Sequence, residues 1–146
     1  MANLPETIKH PDAFARTLPF GFDGVFDWSF LLPIFEGTKI TPTDIDGLVE
    51  RFGHILIFET KPPDKEVPPG QRIALERLVA LGRGNIRVIV LYGKTPLTIV
   101  GCDEWYYARG QLCKTGKREC DHNYVFRRVK AWFEEANNNE LCWPII

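Results

Sequence analysis

The apolar residues of this chain fall into short blocks whose spacing changes along its length. Over residues 24–35, Phe26, Phe30, Leu31 and Ile34 recur at helical spacing, and Pro33 and Gly37 limit the segment. Between Ile40 and Lys61 the pattern becomes two strands around a tight turn. The first strand covers about 44–50 and the second about 54–61, with Arg51-Phe52-Gly53 between them. Ile55-Leu56-Ile57-Phe58 is apolar at every position. That predicts a strand in the middle of a sheet, covered on both faces.

Lys61-Pro62-Pro63-Asp64 ends this strand, and Pro68-Pro69-Gly70 opens the next element. Gln71–Leu81 is predicted as an amphipathic helix with Leu75, Leu78 and Val79 on one side, closed by Gly82 and Gly84. Ile86–Tyr92 is a second buried strand. Residues 97–108 give one or two more, broken near Gly101 or Asp103. Asn123–Asn137 is the last helix, with Val125, Val129, Trp132 and Phe133 at helical spacing. Residues 1–20, with Pro5, Pro11 and Pro19, read as an irregular arm with a short helix about 12–17; 138–146 is a tail. The predicted order is helix, hairpin, helix, strand, strand, helix. This is a single mixed α/β domain with helices packed on a sheet.

Composition narrows the classes. A chain of 146 residues, 45% apolar and 25% charged, suits one globular domain and excludes a disordered or collagen-like chain. With 18 basic and 19 acidic residues the net charge is −1, which excludes a uniformly basic nucleic-acid coat. The stretch Arg109–Lys130 is locally basic, with seven Lys/Arg against two acids. Arg118, Arg127, Arg128 and Lys130 are its candidate phosphate contacts. The bland reading of that stretch is a solvated loop and helix face. Trp105-Tyr106-Tyr107 suits core packing and a sheet edge better than base stacking.

No apolar run approaches the ~20 residues that span a bilayer, and residues 1–10 lack a signal-peptide layout. A cytoplasmic location without membrane contact is the expectation. Cys102, Cys113, Cys120 and Cys142 are then reduced thiols. With His122 they lack the paired spacing of a structural zinc site.

The hairpin carries the candidate chemistry. Alternation places Asp44, Asp46, Leu48 and Glu50 on one side of the first strand, and Ile55, Ile57, Glu59 and Lys61 on one side of the second. Glu59 and Lys61 end an otherwise apolar strand, where charge is costly unless matched. Asp46 lies 13 residues before Glu59 and can converge on it across the hairpin. Two close carboxylates repel unless a cation sits between them, and hard oxygen ligands suit Mg²⁺ or Mn²⁺. A structural salt bridge with Lys61 is the competing reading. Gln71 shares the core-facing stripe of Leu75 and Leu78 and needs a polar partner, for which the charged end of the hairpin is a natural candidate. A hydrogen bond at the helix start is its bland alternative.

Thr43-Asp44-Ile45-Asp46-Gly47-Leu48-Val49 followed by Ile57-Phe58-Glu59-Thr60-Lys61 resembles the PD-(D/E)XK nuclease superfamily, and small phage-type members most closely. The resemblance covers about 36–92. It implies a restriction-endonuclease-like mixed sheet flanked by helices. It also implies divalent metal on Asp46 and Glu59, Lys61 assisting the attacking water, and Gln71 in the place of a glutamine some members use. DNA is the implied partner, with a homodimer or a recruiting protein to enlarge a small footprint. Isoleucine stands before Asp46 where the pattern has proline. The acid that many members carry in their first helix has three candidates, Asp23, Asp27 and Glu36. The alternative function is a catalytically inactive module of the same fold that binds DNA or protein.

Overall fold

The computed structural model describes residues 28–95 and 97–141. Its contacts divide the chain into two units, Met1–Asp44 and Ile45–Ile146. Within the first, the described helical segment is a 3₁₀ turn, Ser29–Phe35, containing Pro33. Proline removes a backbone donor and favours such a short element, and residues 24–27 of the helical pattern lie outside the described residues. The short helix expected about 12–17 lies outside the described residues, as do Asp23, Asp27 and Cys142.

The second unit is α/β. It holds six strands: β1 (Gly47–Arg51), β2 (His54–Lys61), β3 (Ile86–Tyr92), β4 (Gly101–Ala108), β5 (Gln111–Lys114) and β6 (Arg118–Glu119). Helix α1 (Pro69–Gly82) joins β2 to β3, and α2 (His122–Asn138) follows β6. The sheet runs β1-β2-β3-β4-β5, with β6 also on β4. Only β2 and β3 run parallel; the other pairs are antiparallel. The parallel pair needs a crossover, and α1 supplies it.

The hairpin forms as the sequence predicts, with β1 starting at Gly47 rather than 44. Its turn places both Phe52 (φ 53°) and Gly53 (φ 90°) in the left-handed region. That is the geometry of a two-residue hairpin loop whose twist matches the flanking strands. Gly53 adopts it freely and Phe52 does not. The Arg51 guanidinium lies 3.6 Å from the Phe52 ring centre and offsets part of that strain.

β2 and β3 are buried on both faces, as their continuous apolar runs predict. One face packs Ile57, Val88, Val90 and Trp105 under Leu75 and Val79 of α1. The opposite face packs Leu56, Ile89 and Cys102 under Trp132 and Ala136 of α2. Each fully buried aliphatic side chain contributes about 1.5–3 kcal/mol. α1 begins with proline at its start and ends at Arg83 in the left-handed region. Asp121 caps α2, its carboxylate accepting from the Tyr124 amide at 2.8 Å.

β4 is continuous where the sequence pattern suggests a break. What changes at Asp103–Glu104 is its partner: β6 pairs with Gly101–Cys102 and β5 with Trp105–Ala108. Thr115 bridges the gap. Its amide donates to the Glu104 carbonyl, and its hydroxyl accepts from the Glu104 amide, each at 3.0 Å. β5 and β6 are absent from the sequence reading, because strands of four and two residues are too short to carry an alternation signal. No helix among the described residues is long and apolar enough to cross a membrane.

Candidate active site

β2 and β3 end side by side at Lys61 and Tyr92. Beyond them opens a cleft of about 600 Å³ lined by Asp46, Lys61, Lys94, Thr98 and His122 among others. Crevices outside the carboxyl ends of parallel strands are where α/β sheets bind ligands.

The hairpin register sets Gly47 opposite Phe58, so Asp46 falls opposite Glu59. Asp46 Oδ2 accepts from the Thr60 amide at 2.8 Å and from its hydroxyl at 2.6 Å. Both bonds use Oδ2, and Oδ1 has no donor among the described residues. Glu59 is buried, 1% exposed, on the α1 face of the sheet. Lys61 Nζ donates to Glu59 Oε1 in an ion pair. Glu59 Oε2 is buried with no hydrogen-bond partner among the described residues.

Burial raises the Glu59 carboxyl above its ordinary value. The hydrogen bond from Lys61 pulls the other way, and the negative charge of Asp46 pushes it up again. A hydrogen bond from Gln71, in the first turn of α1, lowers it a little. Lys61 thus contacts Glu59 directly at the end of β2, and Asp46 and Gln71, the latter singled out by its helical stripe, lie near enough to bear on the Glu59 charge. Gln71 is itself buried.

Two nearby basic residues escape the sequence reading of this site. Lys94 follows Gly93 at the end of β3, and His122 opens α2; both line the cleft. The signal for Lys94 is its place directly after a buried parallel strand. A Cβ on Gly93 would lie 2.1 Å from the Thr98 carbonyl, so glycine is what lets this loop fold tightly over the cleft. Asp103 is a further buried acid, on the same sheet face as Glu59 and two strands away, since Glu59 and Asp103 both pair with Val90. Neighbouring Tyr92 is pushed up to about 12, by burial first and then by the charges of Glu66 and Asp103.

The basic stretch divides. Arg127 and Lys130 lie exposed on α2. Arg118 and Arg128 keep part of their side chains in solvent while both converge on buried Glu104. Arg128 Nε and Nη2 donate to that carboxylate at 3.0–3.1 Å, and Arg118 Nη2 at 3.3 Å. Their partner could not be foreseen, because Glu104 belongs to a strand whose faces the sequence does not fix.

Asp44 is exposed and lies in the first unit, as does Glu36. Glu50 caps the hairpin turn, accepting from the Gly53 amide at 2.7 Å. Cys102, Cys113 and Cys120 are free thiols, and burial beside Cys102 pushes Cys120 up to about 12, an unreactive state. Among the described residues no three His, Cys, Asp or Glu side chains gather as a metal-binding group. The fit to a hard divalent cation rests on Glu59, whose Oε2 is buried without a partner among the described residues and feels the negative charge of Asp46.

Comparison with family models, with curated proteins and with solved structures finds no match in any of the three.

Proposed function

We propose that this chain is a metal-dependent nuclease of the PD-(D/E)XK type that hydrolyses DNA phosphodiester bonds. The observation that carries the reading is the buried, under-satisfied carboxylate of Glu59, ion-paired to Lys61 and close to the charge of Asp46, with Lys61 and Asp46 lining the cleft. Burying a carboxylate with one oxygen unpartnered costs free energy, and a cation at that oxygen would recover it.

Asp46 and Glu59 are the residues that would hold Mg²⁺ or Mn²⁺. Such an ion, when bound, polarises the phosphate and acidifies water. The chain's own residues do the remaining work. Thr60 fixes the Asp46 carboxylate through two hydrogen bonds. Gln71 and the apolar wall of α1 hold Glu59 in one orientation. Lys61 reaches from Glu59 into the cleft, where its ammonium donates to the attacking water or to the charge that develops on phosphate. Lys94 and His122, which line the same cleft, would supply donors to flanking phosphates.

A second reading has its own support. Lys61 already neutralises Glu59, and among the described residues no third acid joins Asp46 and Glu59 in a metal-binding group, as an inactive module that binds DNA or protein would have it. A cleavage assay separates the two. Purified protein is incubated with plasmid, linear duplex and single-stranded DNA in Mg²⁺, Mn²⁺ or EDTA, beside Lys61→Ala. Metal-dependent cutting reduced at least ~100-fold in the variant supports the nuclease. No cutting of any DNA by folded protein supports the module.

A further inference from the structure

The opposite face of the sheet holds a second built site. Between α2 and the strands β3 and β4 lies a cavity of about 430 Å³, lined by Arg87, Glu104, Tyr106, Arg118, Arg128 and Trp132 among others. Its volume falls in the range of small-molecule pockets, about 300–1,000 Å³. It is separate from the cleft described above and shares no lining residue with it.

Glu104 is the centre of the construction. It is 7% exposed, and both of its oxygens are satisfied. Oε1 accepts from Tyr124 Oη at 3.0 Å and from both arginines; Oε2 accepts from Arg128. Arg118 is pinned again by its own bond to Tyr124 Oη and by the Tyr124 ring, 4.8 Å from its guanidinium carbon. One carboxylate therefore fixes two guanidinium planes. Neither Nη1 group has an acceptor among the described residues, and each side chain keeps over 40% of its exposure. A third guanidinium, Arg87, lines the same cavity, held by Glu135 at 2.9 Å.

Rigid guanidinium forks with spare N–H groups recognise phosphate bidentately. Aromatic walls take a planar apolar body, and Tyr106 and Trp132 supply them here. We infer that this cavity binds a nucleoside monophosphate group, its phosphate on Arg118 and Arg128 and its base against Tyr106 and Trp132. A free nucleotide and the 5′-phosphorylated end of a single strand present the same chemistry. The inference does not depend on the nuclease reading, since no metal and no cleft residue takes part.

The test is calorimetric titration in EDTA with deoxyadenosine 5′-monophosphate, deoxyadenosine and inorganic phosphate. The nucleotide is expected to bind one per chain, at least tenfold tighter than either fragment. Arg118→Lys, which keeps the charge and loses the fork, and Tyr106→Leu are each expected to weaken it at least fivefold, with melting temperatures showing that both fold. No binding of the nucleotide at millimolar concentration, or equal binding in both folded variants, overturns the inference. Competition by a 5′-phosphorylated oligonucleotide, but not by its unphosphorylated form, identifies a strand end as the source. Absence of competition identifies the free nucleotide.

Discussion

Two buried glutamates sit on opposite faces of the same sheet, and their surroundings differ. Glu104 is wrapped by two arginines and a tyrosine, with donors to both oxygens. Glu59 is deeper and has one lysine, a glutamine, a neighbouring aspartate and an oxygen with no donor. A fully satisfied carboxylate holds other groups in place, and what it offers a ligand is the N–H groups it has oriented. An under-satisfied one beside a second carboxylate attracts a cation. That difference is the ground for the proposal of a reaction at Glu59 and an anion pocket at Glu104.

The comparison can be broken most sharply through catalysis. Asp46→Asn and Glu59→Gln are each expected to lower metal-dependent cleavage at least ~100-fold, about 2.7 kcal/mol in barrier, measured as single-turnover rates on plasmid. Stability should rank the glutamates the other way. Glu104→Ala strips two guanidiniums and a hydroxyl of their acceptor and is expected to cost about 2–3 kcal/mol in urea unfolding. Glu59→Ala removes a charge that burial disfavours, and the long Lys61 side chain can turn toward solvent. Its expected cost is about 1 kcal/mol, and a loss as large as that of Glu104→Ala would contradict the contrast.

The pH dependence sharpens the same point with a smaller effect. The Glu59 carboxyl is raised above its ordinary value of 4.5, so the folded state binds this proton more tightly than the unfolded chain does. The resulting stabilisation is full below 4.5 and is lost as pH rises through the folded-state value. In metal-free buffer the melting temperature of the parent, relative to Glu59→Gln, should therefore rise as pH falls toward 4.5. A difference that stays flat or reverses would remove the burial argument.

Much of this site is legible in the sequence, for identifiable reasons. Ile55–Phe58 announces a central strand, so the charges that end it at Glu59 and Lys61 stand out against an apolar background. The short hairpin loop fixes register, and register brings Asp46 opposite Glu59. Gln71 is legible because it interrupts an apolar helical stripe. The Glu104 centre is hidden for the converse reason. Asp103-Glu104 lies in a strand where polar residues occur on both faces, and the partners of Glu104 come from β6 and α2, 14 to 24 residues away in the chain. Arg118 and Arg128 look like surface charge until that partner is placed. The small strands β5 and β6 are set by pairing with β4 and not by their own pattern.

The most direct test of the central claim is titration of Mn²⁺ into metal-free protein, followed by the loss of the free-ion electron paramagnetic resonance signal. One Mn²⁺ per chain, displaced by Mg²⁺, lost in Glu59→Gln and retained in Glu104→Gln, is the expected result. No Mn²⁺ uptake by the folded parent, or uptake unchanged in Glu59→Gln, would contradict the assignment of the unpartnered carboxylate to a metal site.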